Sequence, residues 1–329
     1  MTGIIEAGRL RVAVLIPCYN EAIAIPRVVA DFRAALPEAA LYVYDNNSTD
    51  GTAAAARAAG AVVRRETLQG KGHVIRRMFA DVEADIYVLV DGDDTYDAAA
   101  APAMIRLLLD DGLDMVNGAR TSAQTGAYRP GHRFGNLVLT GIVRQIFGNQ
   151  LTDLLSGYRV FSRRFVKSFP ALATGFETET EFTVHALELH MPVGEIVTRY
   201  QERPVGSVSK LNTWRDGLRI LASIVALVKE ERPLQFFAGW GLLLLLGSLA
   251  FGLPVISTFL QTGLVPRLPT AVLAMGLAVM AMLSFAAALI LDSVTRGRKE
   301  LKRLAYLAIP RSEAAAPADS GVAESAPPR

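Results

Sequence analysis

Two stretches near the carboxyl end restrict the folds open to this chain more than any other feature. Between Leu234 and Pro266 no residue is charged, and none is charged between Leu268 and Leu291. About 20 mostly apolar residues in a helix suffice to cross the hydrocarbon of a bilayer. Both stretches therefore qualify as spans, joined by a turn that carries Arg267. Lys229-Glu230-Glu231-Arg232 precedes them, and Arg296-Gly297-Arg298-Lys299-Glu300-Leu301-Lys302-Arg303 follows. By the positive-inside rule, both ends and the large region before the spans are expected on the cytoplasmic side of the membrane. The organisation expected is a globular domain over 1–211, an interfacial amphipathic helix over 212–232, a two-span hairpin over 233–294, and a basic segment with a disordered Ala/Pro/Ser/Glu-rich tail over 295–329.

The rest of the composition mainly excludes. A formal charge of +2 leaves no basic excess to point to nucleic acid. Cys18 is the single cysteine, which rules out an internal disulfide and a cysteine zinc site. Met1 to Arg11 is polar and mixed, so no signal peptide is expected there.

Before the spans, short apolar runs alternate with helical patterns. Arg11 to Ile16, Leu41 to Tyr44, Ala61 to Val63 and Ile86 to Val90 read as buried strands. Between them lie helices expected at 25–35, 52–59 and 73–82. A helix ending near Asp111 and a short strand over Asp114 to Asn117 follow. Such alternation predicts an α/β fold with a mainly parallel, doubly wound sheet. Two further amphipathic helices are expected, at 134–147 and 214–228; the second leads into the first span and is expected at the membrane interface.

Polar clusters follow three of the strands, at 17–21, 45–50 and 91–97. In an open α/β sheet, ligands bind in the crevice beyond the carboxyl ends of the strands. The third cluster holds Asp91, Asp93, Asp94 and Asp97. Like charges crowd there at a cost unless a cation shares them. Hard oxygen donors of this kind suit Mg²⁺ or Mn²⁺ bridging carboxylates to substrate phosphates. A solvated acidic turn that caps the next helix accounts for the same residues.

Pro17-Cys18-Tyr19-Asn20-Glu21, Asp45-Asn46-Asn47-Ser48-Thr49-Asp50-Gly51-Thr52, Gly70-Lys71-Gly72 and Asp91-Gly92-Asp93 occur in this order. Together they resemble the inverting family 2 glycosyltransferases of GT-A fold, a Rossmann-like catalytic domain. With the hairpin, the chain resembles the polyisoprenyl-phosphate glycosyltransferases related to dolichol-phosphate mannosyltransferase. The resemblance implies that Pro17, Tyr19 and Glu21 shape a nucleoside pocket and that Asp45 holds the base or ribose. A plain strand-to-helix turn and a capping aspartate are the alternatives. It implies that Asp93 coordinates the metal, with Asp91 meeting the sugar nucleotide directly or through water. Lys71 meets phosphate if its glycines admit a close backbone; a solvated lysine is the alternative.

Further on, Asp153-Leu154-Leu155-Ser156-Gly157-Tyr158-Arg159 is similar to a segment lining the family's active site, and Arg203 to Lys210 to its basic loop over donor and lipid phosphate. The resemblance thus implicates Asp153, Arg203, Lys210, Ser207 and Ser209, with Arg129 and Arg133 as grips on lipid phosphate or as interface anchors. Glu177, Glu179 and Glu181 read as a solvated acidic face; one of them facing the site is the alternative. Two departures from the family pattern, Asn46 in place of a second acid and Thr95 in place of a glutamine, leave the base and sugar open.

The expected reaction is transfer of one sugar, with inversion, from a UDP- or GDP-linked donor to a polyprenyl phosphate at the cytoplasmic face of the inner membrane. The expected partners are nucleotide sugar, polyprenyl phosphate, bilayer and further copies of the chain, without nucleic acid. A processive polysaccharide synthase and an inactive nucleotide-sugar-binding scaffold are the rival readings. The absence of a Gln-X-X-Arg-Trp segment speaks against the first, and intact Asp91 and Asp93 speak against the second.

Overall fold

The structure, a computed structural model, describes residues 10–121, 151–175, 177–201, 203–204 and 229–311. These residues fall into two compact units: 10–204 with 303–311, and 229–302. The helices expected at 134–147 and 214–228, and the tail from 312 on, lie outside the described residues.

In the first unit, β1 (Val12–Cys18), β2 (Ala40–Asp45), β3 (Val62–Arg65), β4 (Ile86–Leu89), β5 (Met115–Thr121), β6 (Arg159–Ser162) and β7 (Val193–Arg199) form one sheet in the order β3-β2-β1-β4-β6-β5-β7. All its neighbours pair parallel except those of β6, which runs against β4 and β5. The sheet is thus mainly parallel, as the alternating pattern predicts. The strands not anticipated are β6, which starts at the last residue of the 153–159 segment, and β7 at the sheet edge. Because β6 is reversed, the carboxyl ends of β1, β2, β4, β5 and β7 share one edge with the amino end of β6.

Helices cover both faces, so the central strands β1 and β4 are apolar runs rather than alternating. In β4 every residue is buried. One core layer forms where α1 (Ile25–Ala35) lays Ile25, Val28, Val29 and Phe32 against the sheet, a helical spacing that puts all four on one stripe. Pro26 opens α1, and Leu36-Pro37 ends it. The short α2 (Thr52–Ala58) adds Ala56, and α4 (Ala101–Asp110) adds Met104, Ile105 and Leu108.

The opposite face is aromatic. Phe79 from α3 (Lys71–Asp81) stands 6.0 Å from Phe161 of β6, ring centre to ring centre. Phe161 stacks at 4.5 Å on Phe165 of α5 (Arg163–Ser168) and lies 4.9 Å from Phe182 of α6 (Thr178–Glu188). Truncating such a ring to alanine costs about 3–5 kcal/mol. Residues 303–311 also belong to this unit: Tyr306 Oη donates to Asp114 Oδ2 at 2.8 Å, under the Arg164 guanidinium, 4.4 Å from the ring centre.

The second unit is an antiparallel helix pair, α7 (Pro233–Thr262) and α8 (Leu268–Leu307), the latter running on into the first unit. The α7 helix stops at Gly263, whose φ of +71° favours glycine and whose N–H bonds back to Phe259. Ser248 Oγ donates to the Ala274 carbonyl at 2.8 Å, and Ser284 Oγ to that of Phe237 at 2.7 Å. Ala274, Ala281 and Ala288 form the buried seam. Each of the two helices holds a long apolar stretch that is mostly exposed. Both helices are long and apolar enough to cross a membrane. The α8 helix continues past the expected end of the hairpin, its charged residues prolonging one unbroken helix.

Candidate active site

The loops after β1 and β2 are stapled into one rim. Asn20 N donates to Ser48 Oγ at 2.9 Å, and Asn20 Oδ1 accepts from Thr49 N at 2.8 Å. Glu21 N bonds to Thr52 Oγ1, and Ala22 N to Asp50 Oδ2. Pro17 is part of β1, Tyr19 is exposed on this rim, and Glu21 is buried. Asp45 ends β2 with 6% exposure. Its Oδ2 accepts from Ser48 N, whereas its buried Oδ1 has no hydrogen-bond partner among the described residues. An orphaned carboxylate oxygen is costly unless a ligand donor completes it.

Asn46, the departure from a second acid, is a structural clamp. Its Nδ2 donates to the carbonyls of Glu66 and Leu68, and its Oδ1 accepts from Gly70 N at 2.8 Å. A carboxylate could accept from Gly70 but could not donate to the two carbonyls. Gly70 and Gly72 have a different role from the one expected. A Cβ at either would come within 2.2 or 2.1 Å of the Thr174 or Ala173 carbonyl oxygen. The backbone they admit is the chain's own 173–174 segment. Lys71 between them is partly buried, and its Nζ donates to both Asp91 and Glu179. Burial alone would lower its pKa, but the two carboxylates outweigh it and raise it.

The four acids after β4 disperse. Asp97 caps the following turn, accepting from Ala99 N at 2.9 Å, so the capping reading holds for it. Asp94, in a left-handed conformation, faces Arg27 at 3.5 Å. Asp91 and Asp93 remain at the corner. Gly92 fits between them because its missing Cβ leaves room for Cys18 Sγ, 2.5 Å from where that atom would be. Asp93 is 5% exposed, and it accepts from Thr95 Oγ1 at 2.6 Å and pairs with Arg203 at 2.6 Å. Burial first, and Asp91 second, push its carboxyl above the ordinary range despite Arg203. Gln201 brings Arg203 there, its N–H bonding to the Thr95 carbonyl and its Nε2 to that of Asp94.

The 153–159 segment borders the same corner. Gly157 N donates to Tyr96 Oη, and a Cβ on Gly157 would sit 2.3 Å from Asp91 Oδ2. Asp153 is gripped by Arg120, whose Nε and Nη2 meet its two oxygens at 2.7 and 2.8 Å. Its oxygens also accept from the Arg120 and Leu155 N–H groups. Burial works to raise the Asp153 pKa, but these Arg120 contacts prevail and hold it below the usual value. Arg159, fully buried, donates to the carbonyls of Ser156 and Leu154 and to Thr183 Oγ1. Burial lowers its pKa to about 10.

Pro17, Tyr19, Glu21, Asp45, Lys71, Asp91, Asp93, Asp153 and Arg203 thus all belong to segments on one sheet edge. Lys210, Ser207, Ser209, Arg129 and Arg133 lie outside the described residues. Two charged residues here were not assigned to the site from the sequence. Arg120 carried no motif signal. Glu179, expected on a solvated face, is 5% exposed and paired with Lys71.

No group of three His, Cys, Asp or Glu side chains among the described residues converges to hold a metal ion. The corner instead provides two carboxylates, each balanced by one cationic side chain. That donor set suits a hard divalent ion completed by phosphate oxygens, and not an all-protein cage.

The sequence profile described as glycosyl transferase family 2 matches residues 13–169. Glycosyltransferase AglJ of Haloferax volcanii is 35% identical over 70% of this chain and 76% of its own length. A dolichyl-phosphate hexose transferase of the same organism is 28% identical over 67% of this chain and 95% of its own. Among solved structures, glucosyl-3-phosphoglycerate synthase from Mycobacterium tuberculosis, in complex with Mn²⁺, UDP-glucose and phosphoglyceric acid, superposes with a TM-score of 0.51. The match covers 66% of this chain and 80% of that one at 24% identity, a likeness of fold.

Proposed function

The chain belongs to glycosyl transferase family 2, and on that premise we propose that it moves one sugar, with inversion, from a nucleoside-diphosphate sugar to a polyprenyl phosphate at a membrane surface. That it is a glycosyltransferase follows from the family; donor and acceptor are our reading. One observation carries it: a sheet edge with the orphaned Asp45 oxygen and the charge-balanced Asp91–Asp93 pair, in a chain that also holds two apolar helices of spanning length. The dolichyl-phosphate relative supports the lipid acceptor.

In this reading Asp45 accepts a hydrogen bond from the nucleoside, within the rim built by Pro17 to Glu21. Asp93 and Asp91 would hold Mg²⁺ or Mn²⁺, which when bound neutralises charge on the departing diphosphate. Arg203 leaves Asp93 for phosphate and, with Lys210, Ser207 and Ser209, closes over donor and acceptor. Arg129 and Arg133 hold the lipid phosphate. That phosphate is already an anion, so its oxygen attacks the anomeric carbon without prior removal of a proton. The C–O bond to the diphosphate breaks on the opposite face, and the sugar inverts. Catalysis then rests on positioning and electrostatic stabilisation. Asp153 acts through Arg120, as its oxygens are taken up by the chain itself. The domain lies on the cytoplasmic side of the inner membrane, by the charge flanking the spans.

The test is to incubate the purified full chain with polyprenyl phosphate, Mg²⁺ or Mn²⁺ and a panel of labelled UDP- and GDP-sugars. Label from one donor is expected in the organic phase. Label that moves into a long polymer, or stays with the nucleotide for every donor, overturns the reading.

A further inference from the structure

Glu179 has no part in the reaction as proposed, yet the fold goes to some length to bury it. Glu181, two residues on, accepts from Leu172 N at 2.8 Å and Ala173 N at 2.9 Å. Gly72 N donates to the Thr174 carbonyl at 3.2 Å, and Gly70 and Gly72 leave no room for any side chain of their own there. Arg159 holds the same helix through Thr183 Oγ1 at 2.9 Å. The start of α3 and the 172–183 segment are therefore joined through backbone, and the contact of Glu179 with Lys71 follows from that junction. The second oxygen of Glu179, Oε2, is buried without a hydrogen-bond partner among the described residues. A carboxylate kept so dry is destabilising unless a cation compensates it.

Formal charges show what Glu179 changes. Asp91 and Asp93 together balance Lys71 and Arg203, which leaves the corner formally neutral. With Glu179 counted, three carboxylates face two cations and the corner is net negative. We infer that Glu179 is a positioning residue: it neutralises Lys71 from the far side, so that Asp91 keeps its negative charge available to a divalent cation. This rests on reading the Asp91–Asp93 corner as a cation and diphosphate site. It assigns the α6 acid a role in donor binding without contact to the donor.

The experiment titrates Mn²⁺ alone into the full-length protein in detergent and counts free Mn²⁺ by electron paramagnetic resonance. Glu179→Gln keeps the shape and a hydrogen-bond acceptor but removes the charge, and it should weaken Mn²⁺ binding about tenfold. Adding Lys71→Met to Glu179→Gln removes the charge left unbalanced and should restore affinity toward that of the parent. Glu179→Asp, which retains the charge, should bind more tightly than Glu179→Gln. A purely structural Glu179 would lower the melting temperature of Glu179→Gln and leave the Mn²⁺ affinity of the folded protein in place, which overturns the inference. So does a double variant that binds no better than Glu179→Gln.

Should Glu179→Gln not fold, Lys71→Met is compared with Lys71→Met/Glu179→Gln. The second is expected to bind more weakly, and equal affinity overturns the proposal. Asp93→Asn separates this inference from its premise. If Asp93→Asn loses Mn²⁺ and Glu179→Gln does not, the Glu179 assignment alone falls. If the parent and Asp93→Asn bind alike, the cation site and the inference fall together.

Discussion

The corner at the end of β4 and the segment leading into β6 both bury an aspartate, Asp93 and Asp153, with 5% and 8% exposure. The fold treats the two in opposite ways. Asp153 receives a two-pronged guanidinium and two backbone N–H groups, and its carboxyl is held below the ordinary range. Asp93 receives one arginine nitrogen and one threonine hydroxyl, stands beside another acid, and its carboxyl is pushed up. A carboxylate with its acceptor capacity filled by the chain holds structure together. One left with fewer donors next to a like charge is, in the proposed function, the one that meets a cation. Burial alone does not distinguish the two; the number and kind of donors does.

The difference can be broken at either end. Asp93→Asn should cut sugar transfer about a thousandfold, the scale of losing one group that stabilises developing charge. Its melting temperature should stay close to that of the parent, and transfer at the parental rate would sink the assignment. Asp153→Asn should act first on stability. Stranding Arg120 beside a neutral side chain costs about 3 kcal/mol, read as a lower denaturant midpoint, and Arg120→Met in the same chain should recover part of the loss.

Gly157→Ala joins the two regions, because its new methyl meets the Asp91 carboxylate from the 153–159 side. A displacement of that size should lower kcat/KM about a hundredfold with little change in stability. The smallest effect is in pH. Since the folded pKa of Asp153 is depressed, its contribution to stability is complete above the unfolded value of about 4 and is lost as pH falls through the folded one. The raised carboxyl of Asp93 acts with the opposite sign: its contribution is present below about 4 and is lost as pH rises through its folded value. Acid unfolding curves of Asp153→Asn should therefore be flatter below about pH 4 than those of the parent. Parallel curves would mean that Arg120 does not depress Asp153.

Much of the sheet is legible in the sequence because β1, β2 and β4 are apolar runs ended by polar turns. The missed β6 is four residues long and begins with Arg159, a residue that reads as solvated until Ser156, Leu154 and Thr183 are seen to satisfy it. The β7 strand mixes Gly194, Glu195 and Arg199 with apolar residues, as an edge strand can. Within the candidate site, motif spacing singled out Asp45, Asp91 and Asp93. It did not single out Arg120 or Glu179, since each meets a partner far away in sequence.

Charge-free length by itself determined a helical pair able to cross a bilayer, since a helix satisfies its own backbone in hydrocarbon. Apolar runs alternating with helical patterns likewise determined the α/β sheet. Tertiary structure alone decided which acids are spoken for. Asp91 meets Lys71 across 20 positions of chain, Lys71 meets Glu179 across 108, and Arg120 meets Asp153 across 33. Electrostatic interaction depends on distance through space and on burial, and neither is written in local sequence.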